Sequence, residues 1–245
     1  MAAEGRLPWF LPEVMTSFRA ICETGPGLVG SHDEVSRIHG RMRAAVTLRR
    51  PRIAAAGARA EGDSGMIRAM DQLSYSAAWL SRWRDEITGA VNSMMSTFEE
   101  TYGYEPGTNE VRAAGEEDLR AARDYGREVL GFEDLLTFYE SIGEVVLSDV
   151  GNGYFVHSAR AVLHMLAEEG PVFVPEADDP HGMVIASNGG GVLYVADWGG
   201  AIHRSRSASL DDAEFDKVAD DLPQFLDDIR RCVVSFVETG VIGDL

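Results

Sequence analysis

Apolar positions recur most regularly between residues 67 and 98. Ile67, Met70, Leu73, Ala77, Leu80, Arg84, Ile87, Val91, Met94 and Phe98 advance by threes and fours, with only Arg84 interrupting the row. This spacing predicts one long amphipathic helix, capped at Asp63 or Ser64 and buried along its stripe against other helices. Trp79 and Trp83 flank the stripe. Methionine and aromatic residues at helical spacing usually form core, so Met94 and Met95 are assigned to core rather than to a docking groove. The pattern upstream is more broken. Val14, Phe18 and Ile21 suit a short helix that Gly25-Pro26-Gly27 interrupts, and Val35, Ile38, Met42 and Val46 suit a second one starting at Ser31 or Asp33. Residues 51–65 hold no sustained period and read as a loop.

Gly103, Pro106 and Gly107 mark a boundary near residue 105, beyond which the pattern changes class. Residues 116–130 and 133–142 read as two helices around Gly131, and residues 148–153 as a turn leading into Tyr154-Phe155-Val156. A helix over 159–169 precedes short β-type runs at 172–174, 183–186, 192–196 and 201–204, whose close spacing suggests an antiparallel meander. A final helix from 211 to about 238 carries Phe215, Val218, Leu222, Phe225, Leu226 and Ile229, with Pro223 kinking or splitting it. The fold class expected is α+β: a helical region over 1–105 of unassigned role, then a domain over 106–245 with a small, mainly antiparallel sheet packed by helices.

Composition narrows the function classes. A hydrophobic content of 45% suffices for a core without staples. No stretch reaches the roughly 18 apolar residues of a membrane span, and the first residues carry Glu4 where a secretory signal is basic, so a soluble cytoplasmic protein is expected. Cys22 and Cys232 form no CxxC pair and are taken as reduced. The net charge of −18 is uneven: residues 1–95 hold 12 arginines against 10 acidic residues, whereas residues 96–245 hold 10 basic groups against 30 acidic ones. Such a field opposes nucleic acid and anionic lipid and favours encounter with a basic protein, although acidity also serves solubility alone.

Four segments carry a family resemblance. Leu130-Gly131-Phe132 leads to Leu135, Leu136, Phe138-Tyr139 and Ile142-Gly143. Asp149-Val150-Gly151-Asn152-Gly153-Tyr154-Phe155 is followed by His157. Ile185 to Gly191 continues through Leu193-Tyr194 to Ala201-Ile202-His203-Arg204. Val218 to Leu226 closes the series. In order and spacing these resemble the Smi/Knr branch of the SUKH superfamily over about residues 115–235. The chain departs from the family pattern at Glu133-Asp134, where a Pro is usual, and at Val192, where an acidic residue is frequent. The resemblance implies a non-enzymatic binding protein. Bacterial members commonly act as immunity proteins that occlude a cognate toxin, often a nuclease, and eukaryotic relatives regulate interactions. The alternative it leaves is a regulatory or scaffold adaptor.

Catalytic chemistry finds little footing. Asn188-Gly189-Gly190-Gly191 is followed by a strand and has no nearby Lys, so a hairpin turn suits it better than a phosphate loop. His32 and His39, like His157 and His164, are seven apart, which is weak metal-ligand spacing, and no GxSxG elbow occurs. A hydrolase using His157 and Asp149 ranks last. No catalytic residue, metal or cofactor is expected. The candidate partner-binding surface comprises Asp149, Asn152, Tyr154, Asp178, Asp179, Asn188, Asp197, Trp198, Asp211 and Asp212. Their acidic members equally suit a solvated face.

Overall fold

A computed structural model describes residues 74–129, 132–210, 214–243 and 245. The expected helices within 12–48, the loop over 51–65, residues 63–73 of the expected long helix, Leu130, Gly131, Asp211 and Asp212 lie outside the described residues, and the expected cap at Asp63 or Ser64 is corrected: Tyr75 and Ser76 are not helical, and the helix that carries the stripe begins at Ala77.

Helix α1, Ala77–Met95, is capped by Ser76, whose hydroxyl accepts from the Trp79 amide. Its buried row is Leu80, Trp83, Ile87, Val91 and Met94, continued by Phe98 in the short helix α2, Phe98–Tyr102. The stripe therefore passes through Trp83 rather than Arg84. Both lie within one turn of Leu80 and Ile87, but the indole can be buried, whereas Arg84 stays partly exposed beside Asp85. The indole N–H finds a partner too, donating to the Leu226 carbonyl at 2.7 Å in the interior.

Strand β1, Asn109–Ala113, comes next, then α3, Glu116–Glu128, and α4, Glu133–Ser141. Strand β2, Ile142–Leu147, follows α4 without a turn. Strand β3, Tyr154–Val156, and helix α5, Ala159–Glu169, lead to β4, Val172–Phe173, β5, His181–Asn188, β6, Leu193–Asp197, β7, Ile202–Ser205, β8, Phe215–Ala219, and the last helix, α6, Leu222–Thr239. The strands form one antiparallel sheet in the order β1-β2-β3-β5-β6-β7-β8, with β4 paired to β5. Helices and an antiparallel sheet make the fold α+β, as expected from the sequence.

Three strands correct the sequence reading. β1 and β2 were not anticipated. In β2 the alternation of buried Val145 and Leu147 with half-buried Glu144 and Val146 is obscured by the apolar Val146. The expected helix over 211–238 is instead β8 followed by α6. Phe215, Val218 and Leu222 step by three and four and so imitate a helix, yet Phe215–Ala219 pairs with β7. Asp221 then caps α6 by accepting from the Gln224 amide at 2.8 Å, and Pro223 sits in the first turn, where its missing N–H is no loss.

One large core joins α1 to the rest: Leu80, Trp83 and Ile87 belong to the same cluster as Tyr125, Phe138, Ile185 and Leu226. Residues 74–105 thus share a core with the acidic half, and the charge change near 105 coincides with no break in packing. A smaller cluster of Val174, Val184, Val195 and Phe215 fills the other face of the sheet. No helix among the described residues is long and apolar enough to cross a membrane.

Strand pairing sorts the loops to two ends. The segment before β1, the β2–β3 turn, the β5–β6 turn and the segment after β7 lie at one end, and the β4–β5 loop and β6–β7 turn lie at the other. Along β5 these ends are about 23 Å apart at about 3.3 Å per residue.

Removing the indole donor with Trp83→Phe is expected to cost about 1–2 kcal/mol, and Trp83→Ala about 3–5 kcal/mol, in urea unfolding. An alanine cost below about 1 kcal/mol would show that α1 is not anchored here.

Candidate binding surface

The first end of the sheet is built by two turns in contact. In the β5–β6 turn the Asn188 carboxamide oxygen accepts from the Gly190 and Val192 amides at 2.9 and 3.0 Å, so one side chain organises the whole loop. The Gly189 amide donates to the Asn152 carbonyl of the β2–β3 turn at 2.7 Å. A Cβ at residue 189 would lie 2.5 Å from that carbonyl oxygen, so only glycine permits the approach.

Beside the joined turns is a concavity of about 300 Å³, lined by Asn152, Tyr154, Asn188, Tyr194, Arg204 and Arg206 among others. The last residues of the chain close one side: the Tyr154 hydroxyl donates to the Gly243 carbonyl at 3.4 Å, and Arg204 donates to the Leu245 carbonyl. Arg206 forks onto Asp216 and reaches Glu214 at 2.7 Å, and its hydrogen bonds hold the Asp216 carboxyl below its usual range. The concavity therefore combines amide and hydroxyl groups with arginines whose charge is already matched.

Asp149 acts as a clip at the same end. Its carboxylate accepts from the Gly107 amide at 2.7 Å and the Asn109 carboxamide at 2.6 Å, while Asn109 Oδ1 accepts from the Asp149 amide at 3.0 Å. The β2–β3 turn is thus tied to the start of β1.

Four sequence-predicted residues, Asp149, Asn152, Tyr154 and Asn188, therefore meet at one end. Asp178, Asp179, Asp197 and Trp198 lie at the other, and Asp211 and Asp212 fall outside the described residues. Two of the surface assignments need correction. Tyr154 is buried, with only its hydroxyl turned to the concavity. Asp197 is buried as well: Oδ1 accepts from the Ala201 amide at 3.0 Å and Oδ2 lies 2.9 Å from His203 Nε2, the two side chains being 6% and 3% exposed. An acidic residue at a strand end resembles a surface residue in sequence, and here the Ala201 amide and the cross-strand histidine together compensate its burial. Trp198 is half-buried and packs edge-on to Phe132, with centroids 5.2 Å apart. Asp178 and Asp179 are exposed.

Asp149 and His157, paired in the hydrolase reading, flank β3 on opposite sides, and the Asp149 carboxylate is already engaged by Gly107 and Asn109. Among the described residues no group of three or more His, Cys, Asp or Glu side chains is placed to hold a metal. The sequence reading missed Asn109 and Arg204. Nothing local marks the first, whereas Arg204, following Ile202 by two on a strand, was open to recognition as a polar end to a core-facing row. No family model, curated protein or solved structure matches the chain.

Two stability predictions follow from the buried histidines. His203→Leu strands the Asp197 carboxylate and is expected to cost about 3–5 kcal/mol, with Asp197→Asn added to it recovering part of the loss. An equal cost for both variants would show that uncompensated charge is not the cause. Burial pushes His157 down from 6.5 to about 4. The unfolded chain therefore takes up a proton that the folded one refuses as pH falls from 6.5 toward 4, and about 3 kcal/mol of stability, intact above pH 6.5, is lost across that window. Urea midpoints at pH 7 and pH 4.5 should differ less in His157→Gln than in the wild type. An unchanged difference would exclude His157 as the source.

Proposed function

We propose that this chain is a SUKH-type protein-binding module acting as an immunity protein, one that neutralises a basic, nuclease-like toxin by covering its surface. The observation carrying this reading is the contact between the β2–β3 and β5–β6 turns. These two segments, both part of the sequence resemblance to the superfamily, come together to shape one concave, polar end of the sheet. A face of this kind, with hydrogen-bonding groups at its centre, suits the recognition of a folded partner. The excess of 30 acidic over 10 basic groups in residues 96–245 would steer a basic protein toward it at low salt and oppose nucleic acid. This role places the protein in the cytoplasm, binds no cofactor and requires no catalytic group.

The reading commits to the end of the sheet bearing Asn152. Full-length protein immobilised and exposed to an extract of its source organism is expected to retain a basic protein that elutes as salt rises and whose nuclease activity the purified chain inhibits. Asn152→Arg, on the exposed tip of the turn, should weaken retention at least tenfold, whereas Asp178→Arg with Asp179→Arg at the far end should change it less than threefold. Retention of no basic protein would overturn the toxin partner. The opposite ranking of the variants would move the docking surface to the β4–β5 loop.

A further inference from the structure

Five large hydrophobic side chains are exposed among the described residues: Tyr102, Tyr104, Phe173, Val241 and Ile242. Ile242 reaches the β2–β3 turn, where a Cβ at Gly151 would meet it at 3.3 Å. Tyr102 and Tyr104, 44% and 49% exposed, share one ring as support, and Asp149 of the same turn acts electrostatically on Tyr104. Exposed apolar surface gathered at one place marks interaction more reliably than the same residues scattered.

The tyrosines form an ordered assembly. Phe98, 2% exposed, is its floor. Gly103, at φ 79°, ends α2 in the left-handed region and turns the chain so that Tyr104 returns onto Phe98 edge-on, at 85° with centroids 5.3 Å apart. Tyr102 packs on the same ring at 4.5 Å, and the two tyrosine rings stand 6.4 Å apart at 52°. Their outer faces remain open to solvent.

Charge around the assembly is unmatched. Some carboxylates elsewhere are paired with arginines, as Asp118 is with Arg112, Asp216 with Arg206 and Asp227 with Arg230, while others, such as Glu168 and Glu176, have no ion pair among the described residues. Glu99, Glu100 and Glu105 have no cationic partner among the described residues. Asp149 adds a negative charge held in place by Gly107 and Asn109; burial first, and then this charge, push the Tyr104 hydroxyl up. Open aromatic faces beside unpaired carboxylates attract a cation that is flat and weakly hydrated. A guanidinium meets both conditions, stacking on a ring while donating to a carboxylate, whereas an ammonium holds its water more firmly.

We infer that Tyr102 and Tyr104, over Phe98, with Asp149 acting on Tyr104 and Glu99 and Glu105 adjacent in sequence, receive an arginine side chain of the partner protein. The inference rests on the protein-binding reading above and adds that recognition prefers arginine to lysine. It is tested with the full-length chain and fluorescein-labelled octa-arginine and octa-lysine peptides, followed by anisotropy at low salt. Replacing Tyr102→Leu and Tyr104→Leu together leaves net charge unchanged and is expected to weaken octa-arginine binding about tenfold and octa-lysine binding less than threefold. Tyr102→Phe with Tyr104→Phe, which keeps the rings, should bind like the wild type. Equal affinity of the leucine variant and the wild type for octa-arginine, or equal losses for the two peptides, overturns the tyrosine site and leaves the immunity reading to the extract experiment. Tyrosine-dependent binding of octa-arginine alongside failure to capture a basic toxin keeps the site and overturns that choice of partner.

Discussion

The buried hydrogen bond from the Trp83 indole to the Leu226 carbonyl is the contact on which the arrangement of the rest depends. It fixes α1 against α6, two helices far apart in sequence, and their shared core rests on the inner face of the sheet through residues such as Ile185, Tyr194 and Phe225. Once α1 is placed, its last turn meets the start of β1, where the Asn109 carboxamide reaches the Met95 sulfur at 3.5 Å. Asn109 in turn holds Asp149. The tyrosine assembly at the end of α1 and the turn that borders it are thus positioned by one continuous set of contacts beginning in the interior.

Local sequence disclosed the elements whose period and punctuation agree. The helix over 159–169 and the one beginning at 133 were legible because apolar spacing is uninterrupted, and the glycine-bearing turns announced themselves. Legibility failed where two periods coincide. Phe215, Val218 and Leu222 satisfy a helical step while belonging to a strand and the helix after it, and the decision between them is made by pairing with β7, which no local window contains. The candidate surface was half legible for a related reason. Residue type identified Asp149, Asn152, Asn188 and Asp197 as polar and loop-like, but the end of the sheet to which each belongs depends on strand direction. Tyr102 and Tyr104 carried no signal because their significance lies in folding back over Phe98.

The charge of the molecule has a similar hierarchy. A net −18 describes the field at a distance, but near the surface what matters is which carboxylates have been matched. The arginines of α3, α6 and the β7–β8 segment match neighbouring carboxylates, whereas Glu99, Glu100 and Glu105 have no ion pair among the described residues. The field at a distance and the charge met at the surface are therefore set by different subsets of the same acidic residues.

The close approach of Gly189 to the Asn152 carbonyl also limits how these two turns can vary over evolutionary time. Neither turn can acquire bulk at the contact without displacing the other, so the pair is inherited as a unit, with its shape fixed while its surroundings remain free to vary. Variation is freer at the exposed side chains Asn152, Tyr102 and Tyr104. The glycines would persist as a frame around which a variable edge is redrawn.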